Sequence, residues 1–378
     1  MLPVNQPLLD GRELDLLTEC ITSGWISSDG PFVGEFEKKF ASYIGVDYGV
    51  AVCNGTVALE TALFAAEIGN GDEVIMPAFT IISCALAAIR LGAMPVLVDC
   101  EPETWNMDVN QIQGRISHRT KAIMPVHIYG HPVDMDPLVE LARKHNLIVI
   151  EDAAEAHGAE YKGQKCGSIG HISAFSFYAN KIVTTGEGGM VLTSDAKMAA
   201  RARSYRNLCF RPEKRFYHTE LGNNYRMTNL QAALGVAQMD RIDEFVAIKR
   251  RLGQYYQSKF KEISGIRGQI EKPWAKTVYW MYCIELADTL GLNADQVMSA
   301  LTQKGIGARP FFWGLHEQPA LHQRGLFIGE RYPVTERIAR QGLYLPSGLA
   351  LTEEQIDRVI TALRSILKKG VANDQPRQ

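Results

Sequence analysis

Residues 121–153 read KAIMPVHIYGHPVDMDPLVELARKHNLIVIEDA. An apolar β-like run comes first, then the amphipathic stretch DMDPLVELARKHN (134–146), then the apolar run LIVIEDA (147–153), which closes on two carboxylates. The proline falls in the first turn of the helical stretch, where a missing N–H would have no partner anyway. A strand, a helix and a strand in this order form the crossover that joins two parallel strands. The rhythm continues on both sides. YGVAVCN (48–54) precedes TVALETALFAAEIGNG (56–71), whose Gly-Asn-Gly end reads as a helix stop. EVIMPA (73–78) precedes a helix through Ala85 and Ile89, and MPVLVDC (94–100) follows it. ISAFSFY (172–178) and GGMVLTS (188–194) read as further strands, with SDAKMAARARSYR as the next helix. The expected fold is α/β, a large domain built on a mixed, mostly parallel sheet with helices on both faces. Such sheets bind ligands beyond the carboxyl ends of their strands.

From Asn229 the pattern changes. NLQAALGVAQMDRIDEFVAIKRRLGQYYQSKF keeps helical periodicity for about thirty residues and reads as one long helix with Asn229 as its N-cap. Beyond it VYWMYCIEL, NADQVMSALTQKG, IGARPFF and TEEQIDRVITALRSILKK read as α+β. The sequence thus predicts an N-terminal segment with the large domain over 1–250 and a smaller C-terminal α+β domain over 251–378, whose last residues, PRQ, read as frayed.

Composition excludes several classes. Of 378 residues, 46% are hydrophobic and 22% charged, and 40 basic against 42 acidic residues leave a net charge of −2. No basic patch points to nucleic acid, and no apolar run is long enough to span a membrane. The opening MLPVNQPLLDGRELD lacks the apolar core of a secretory signal. The seven cysteines are scattered singly without a CxxC, and the nine histidines form no ligand-spaced pair. Reduced thiols, a cytoplasmic location and no metal site are expected.

Chemistry concentrates where strands should end. SFYANKIVTTGEGG (176–189) places Lys181 between two strands rather than on a charged helix face. A lysine in a partly dry site loses basicity and can act as a nucleophile toward a carbonyl. Asp152 closes the most apolar strand, where a carboxylate needs a cation; a helix N-cap or a buried ion pair would serve it equally. In CNGT (53–56), Gly55 permits close backbone approach and the helix N-terminus offers free N–H groups to an anion; a plain capped turn reads the same way. Together, an anion cradle, an acid on a strand end and Ser176–x₄–Lys181 match the three needs of pyridoxal phosphate: donors for its phosphate, an acid for its ring nitrogen, an amine for its aldehyde.

These residues sit in segments that resemble the DegT/DnrJ/EryC1/StrS sugar aminotransferases over nearly the whole chain: SGWISSDGPFVGEFEKKF, VCNGTVALETAL, GDEVIMPAFT, IEDAAEAHGAEYKGQKCGSIG, FSFYANKIVTTGEGGMV and NNYRMTNLQAALG. Within that family, TTGEGGM and RFY…NYRMTNLQAA look most like GDP-perosamine synthases. The resemblance implies a fold-type I enzyme that binds pyridoxal 5'-phosphate and transfers an amino group from L-glutamate to C4 of a nucleotide-linked 4-keto-6-deoxyhexose. It implies that Lys181 holds the cofactor and shuttles the proton. It places Asp152 on the ring nitrogen, Glu155 near the ring hydroxyl, and Gly55, Thr56 and Ser176 on the phosphate. It implies a homodimer with shared sites, in which Asn224 reaches the phosphate of the partner subunit. Trp25, Ser27, Arg309 and His316 fall in segments that line the sugar-nucleotide pocket of relatives. Two positions depart from the pattern. Ile81 stands where relatives commonly stack an aromatic on the cofactor ring, and NLCFRPEKRF (207–216) replaces a glycine-rich turn near the substrate. The alternatives are a C3 or a dTDP- or UDP-sugar aminotransferase of the same family, or a non-catalytic pyridoxal phosphate regulator.

Overall fold

The computed structural model of the chain describes residues 1–211 and 213–373; Pro212 of the NLCFRPEKRF loop and the C-terminal PRQ lie outside the described residues. Seven strands form the central sheet: β1 (Tyr48–Val52), β2 (Glu73–Pro77), β3 (Met94–Val98), β4 (Thr120–Ile123), β5 (Ile148–Asp152), β8 (Ile172–Ser176) and β9 (Gly189–Thr193). Between β5 and β8 a short hairpin, β6 (Glu160–Tyr161) and β7 (Gln164–Lys165), joins β11 (Ala275–Lys276) in a three-stranded sheet. The order across the central sheet is β1-β9-β8-β5-β4-β2-β3. Only β9 opposes its neighbours, pairing antiparallel with both β1 and β8, while the remaining pairs are parallel. The mostly parallel α/β sheet expected from the apolar runs is therefore present. All residues of β2, β8 and β9 are buried, as helices on both faces require.

Local chemistry corrects three boundaries. The helix after β1 runs Gly55–Ala65 and ends before the Gly-Asn-Gly, because Glu67 turns to φ 59°. KAIMPVHIYG is extended only to Ile123. Pro125 carries no N–H for a ladder, and Tyr129 at φ 51° turns the chain. The long C-terminal helix is two helices, Asn229–Met239 and Ile242–Phe260, with Arg241 at φ −123° between them. Its N-cap is Thr228, whose hydroxyl accepts from Gln231 N while the Gln231 side chain accepts from Thr228 N. Asn229 is fully buried instead. Its Oδ1 accepts from Phe32 N (2.8 Å) and its Nδ2 donates to Trp25 O (2.7 Å), so it pins the N-terminal segment at Gly30, where a Cβ would overlap it.

Beyond residue 260 a four-stranded antiparallel sheet, β10 (Ile266–Gly268), β12 (Tyr282–Leu286), β14 (Gly342–Leu345) and β13 (Arg309–Pro310), packs on the helices Ala294–Gln303 and Glu353–Asn373. It has its own core around Tyr256, Ile284, Val297 and Ile356. Leu2 enters that core through paired backbone bonds with Gly305 and Gly307. The helix Ile242–Phe260 passes residue 250 unbroken. No helix among the described residues is long and apolar enough to cross a membrane.

Candidate active site

The parallel arrangement brings β1, β2, β5 and β8 to one edge by their carboxyl ends, and a cavity of about 570 Å³ opens there. Its floor and walls include Gly55, Thr56, Ile81, Asp152, Glu155, Ser176 and Lys181. Seven of the eight residues assigned to cofactor binding thus meet in one place.

The cradle forms at the start of the helix Gly55–Ala65. Asn54 caps it, its Oδ1 accepting from Val57 N (3.1 Å) and its carbonyl from Ala58 N (3.1 Å). The Gly55 and Thr56 N–H groups ahead of them are left for an anion. Thr56 Oγ1 lies 2.9 Å from Ser83 Oγ. Register puts Gly189 of β9 between Val52 of β1 and Ser176 of β8. This crowding explains the glycines. A Cβ on Gly55 would stand 2.6 Å from Ser176 Cβ, and one on Gly189 would run into the Asn54 carbonyl. Gly55→Ala is expected to cost about 1–3 kcal/mol. Denaturant unfolding should show a lower midpoint with an unchanged slope.

The two carboxylates at the end of β5 have different partners because successive side chains point to opposite faces. Glu151 accepts from the N–H groups of Gly167 (2.7 Å) and Ile169 (2.8 Å) and lies 2.9 Å from His127 Nε2, both side chains fully buried. Val133 N donates to His127 Nδ1 (3.0 Å), so the ring proton sits on Nε2 and goes to Glu151. That pair is structural. Asp152 faces the cavity. Ala154 N donates to its Oδ1 and Cys84 Sγ to its Oδ2, each at 3.1 Å. Among the described residues no cationic side-chain nitrogen lies within 4.0 Å of it. Burial raises its pKa, against the opposing pull of the Cys84 and Ala154 hydrogen bonds and of Lys181. A buried carboxylate with hydrogen bonds but no counter-ion calls for a positive group in the cavity.

Lys181 follows β8 on a turn closed by its own N–H to Tyr178 O (2.8 Å). Its Nζ lies 3.8 Å from Glu155 Oε1 and 3.8 Å from the centroid of the Trp280 ring. Burial pushes its ammonium below the ordinary lysine range, although Glu155 and Asp152 pull the other way. Glu155 accepts from Tyr129 N through Oε2 (2.7 Å), and burial lifts its carboxyl to about 7 despite Lys181. The cavity therefore holds an amine of reduced basicity beside an acid whose pKa burial raises.

Ile81 is 44% exposed at the cavity wall, while the nearby Phe79 is buried against Tyr129 and Phe311 and offers no ring to a ligand. Asn224, Trp25, Ser27, Arg309 and His316 are not among the residues lining the cavity of their own chain. Asn224, Trp25 and Ser27 are exposed. Asn224 is bridged to Asn207 and accepts from Arg226 Nε (2.9 Å). Arg309 is exposed beside Tyr344 of the rim, its register partner across β13 and β14. His316, expected at the sugar pocket, is buried, with Nε2 3.2 Å from Glu336 Oε1 and its ring edge-on to Tyr332. Sequence reasoning missed Trp280, Phe312, Tyr344, Asn180 and Cys84, all at the cavity or touching its carboxylate. Trp280 Nε1 donates to Asn180 O (2.8 Å) and so fixes the turn that carries Lys181.

The chain matches the model of the DegT/DnrJ/EryC1/StrS aminotransferase family over residues 7–364. It is 46% identical to a GDP-perosamine synthase of Caulobacter vibrioides, over 96% of this chain and 98% of that protein. It is 40% identical to the GDP-perosamine synthase of Escherichia coli O157:H7, with 94% and 95% covered. Among solved structures it superposes on DesV of S. venezuelae, described in complex with a ketimine intermediate, with a TM-score of 0.87 and 34% identity over 94% of each chain. A family match over residues 7–364 and 46% identity over nearly the whole chain lead to one conclusion: this chain belongs to the DegT/DnrJ/EryC1/StrS aminotransferase family.

Proposed function

We propose that the chain is a pyridoxal-phosphate-dependent aminotransferase that passes the amino group of L-glutamate to the 4-keto carbon of a GDP-linked 4-keto-6-deoxyhexose. The observation that carries this reading is the convergence of Lys181, the counter-ion-free Asp152 and the Gly55–Thr56–Ser176 cradle in one cavity. The residues fit the cofactor group by group. The Gly55 and Thr56 N–H groups, with the Thr56 and Ser176 hydroxyls, would hold a phosphate. Asp152 would supply the counter-charge that keeps a ring nitrogen protonated. Lys181 Nζ would attach to the aldehyde. Bound there, pyridoxal phosphate supplies an electron sink for a carbanion at the substrate carbon. Lys181 Nζ would take the proton from Cα of the glutamate and later deliver one to C4 of the sugar. Trp280 and Phe312 keep water from the amine. 2-Oxoglutarate leaves before the sugar binds, a two-stage exchange. The GDP moiety and C4 regiochemistry rest on the GDP-perosamine synthase relatives. Incubation with L-glutamate and a panel of GDP-, dTDP- and UDP-linked keto sugars tests them. A 4-amino GDP-sugar is expected, and a 3-amino or non-GDP product would move the chain to another branch.

The working unit in this proposal is a cytoplasmic homodimer, with the domain division near residue 250 and Asn224 reaching the partner's phosphate. The exposure of Asn224 outside its own cavity supports that reading. Two inactive variants, Lys181→Ala and Asn224→Asp, should complement on subunit exchange. The mixed dimer has one site with Lys181 and Asn224 both intact, so activity should return to about a quarter of wild type for random mixing. No recovery despite verified exchange would put Asn224 in its own chain's site.

A further inference from the structure

Asp152 projects from the end of β5, and the torsion about its carboxyl group is intrinsically broad. Two donors from separate elements fix it. Ala154 N–H takes Oδ1 from the turn after β5, and Cys84 Sγ takes Oδ2 from the first turn of the helix Ser83–Arg90. Thr80 Oγ1 lies 3.3 Å from the same sulfur. Since the thiol hydrogen is committed to the carboxylate, Thr80 donates to the sulfur, giving a relay from Thr80 O–H through Cys84 S–H to Asp152. Cys84 is fully buried and Thr80 1% exposed, so no water competes. Burial and Asp152 together hold the thiol well above its ordinary pKa, which keeps it a donor. A buried cysteine is ordinarily a small apolar filler. The geometry argues otherwise here: the sulfur stands 3.1 Å from this carboxylate, whereas Cys100 Sγ is 3.8 Å from Asp99 Oδ1. A filler pressed against a buried, counter-ion-free carboxylate would leave one of its oxygens unpaired.

We propose that Cys84 is a positioning residue for the transamination, acting through Asp152: its thiol, oriented by Thr80, holds the carboxylate at the angle at which it meets a protonated ring nitrogen. The proposal rests on the pyridoxal phosphate reading above. The test measures binding to the apoprotein of pyridoxal phosphate and of its analogue with C–H in place of the ring nitrogen. Cys84→Ala should weaken pyridoxal phosphate roughly tenfold, the loss of one hydrogen bond to a charged group. It should leave the analogue's affinity unchanged. Cys84→Ser, which keeps a donor, should recover most of the loss. Thr80→Val, close in shape, should show a smaller loss with the same dependence on the ring nitrogen, and it carries the test should Cys84→Ala not fold. Equal weakening of both ligands, or no weakening of either, overturns the positioning role. Wild-type apoprotein that binds neither ligand overturns the pyridoxal phosphate reading itself.

Discussion

Lys181→Ala is expected to abolish turnover, by at least about 10⁴-fold, because in the proposed function one side chain supplies both the attachment point and the proton carrier. The fold should survive. Lys181 Nζ lies 3.8 Å from Glu155 and over the Trp280 face, and removing a buried amine of depressed basicity relieves desolvation rather than opening the hydrophobic core. Circular dichroism and thermal melting of the apoprotein should match wild type closely while activity is lost. Exogenous small amines offer a further check, since they can replace the missing proton carrier in the emptied space. A variant with wild-type turnover would remove Lys181 from the chemistry.

Asp152→Asn is expected to lower the rate by about 10²–10³, the range for loss of one preorganised electrostatic partner. The amide keeps the shape and an oxygen for Ala154 N–H but cannot hold a ring nitrogen protonated. Stability should move the other way. Burial raises the Asp152 pKa, so the folded apoprotein binds this proton more tightly than the unfolded chain does. Its contribution to stability therefore falls as pH rises from the unfolded value through the folded one. Asparagine removes that penalty, and the variant apoprotein should melt no lower than wild type at neutral pH. An active variant would reduce Asp152 to a structural carboxylate like its neighbour Glu151.

The sequence marks the candidate site residues because each sits at a break in an apolar pattern: Asp152 at the end of LIVIED, Lys181 between two strands, Gly55 at a strand-to-helix turn. Once those strands are parallel, their carboxyl ends coincide, and so do these residues. The residues that shape the cavity from across the chain carry no such mark. Trp280 lies in VYWMYCIEL, which reads as part of the α+β region, and Tyr344 lies outside every segment singled out in the sequence; both line the cavity because the second sheet packs there. Cys84 reads as one more small apolar helix residue; only its rotamer aims the thiol at Asp152. Asn229 misleads for a related reason. Thr228 and Gln231 satisfy the helix start, freeing the asparagine to hold Phe32 and Trp25, 197 and 204 residues away in sequence.

The central claim is that Lys181 carries the cofactor. Reducing the holoenzyme with borohydride and mapping its peptides by mass spectrometry tests this most directly. The account predicts the mass of the reduced cofactor on the peptide containing Lys181 and on no other lysine. Label on a different lysine, or a folded protein that takes up no pyridoxal phosphate, would contradict it.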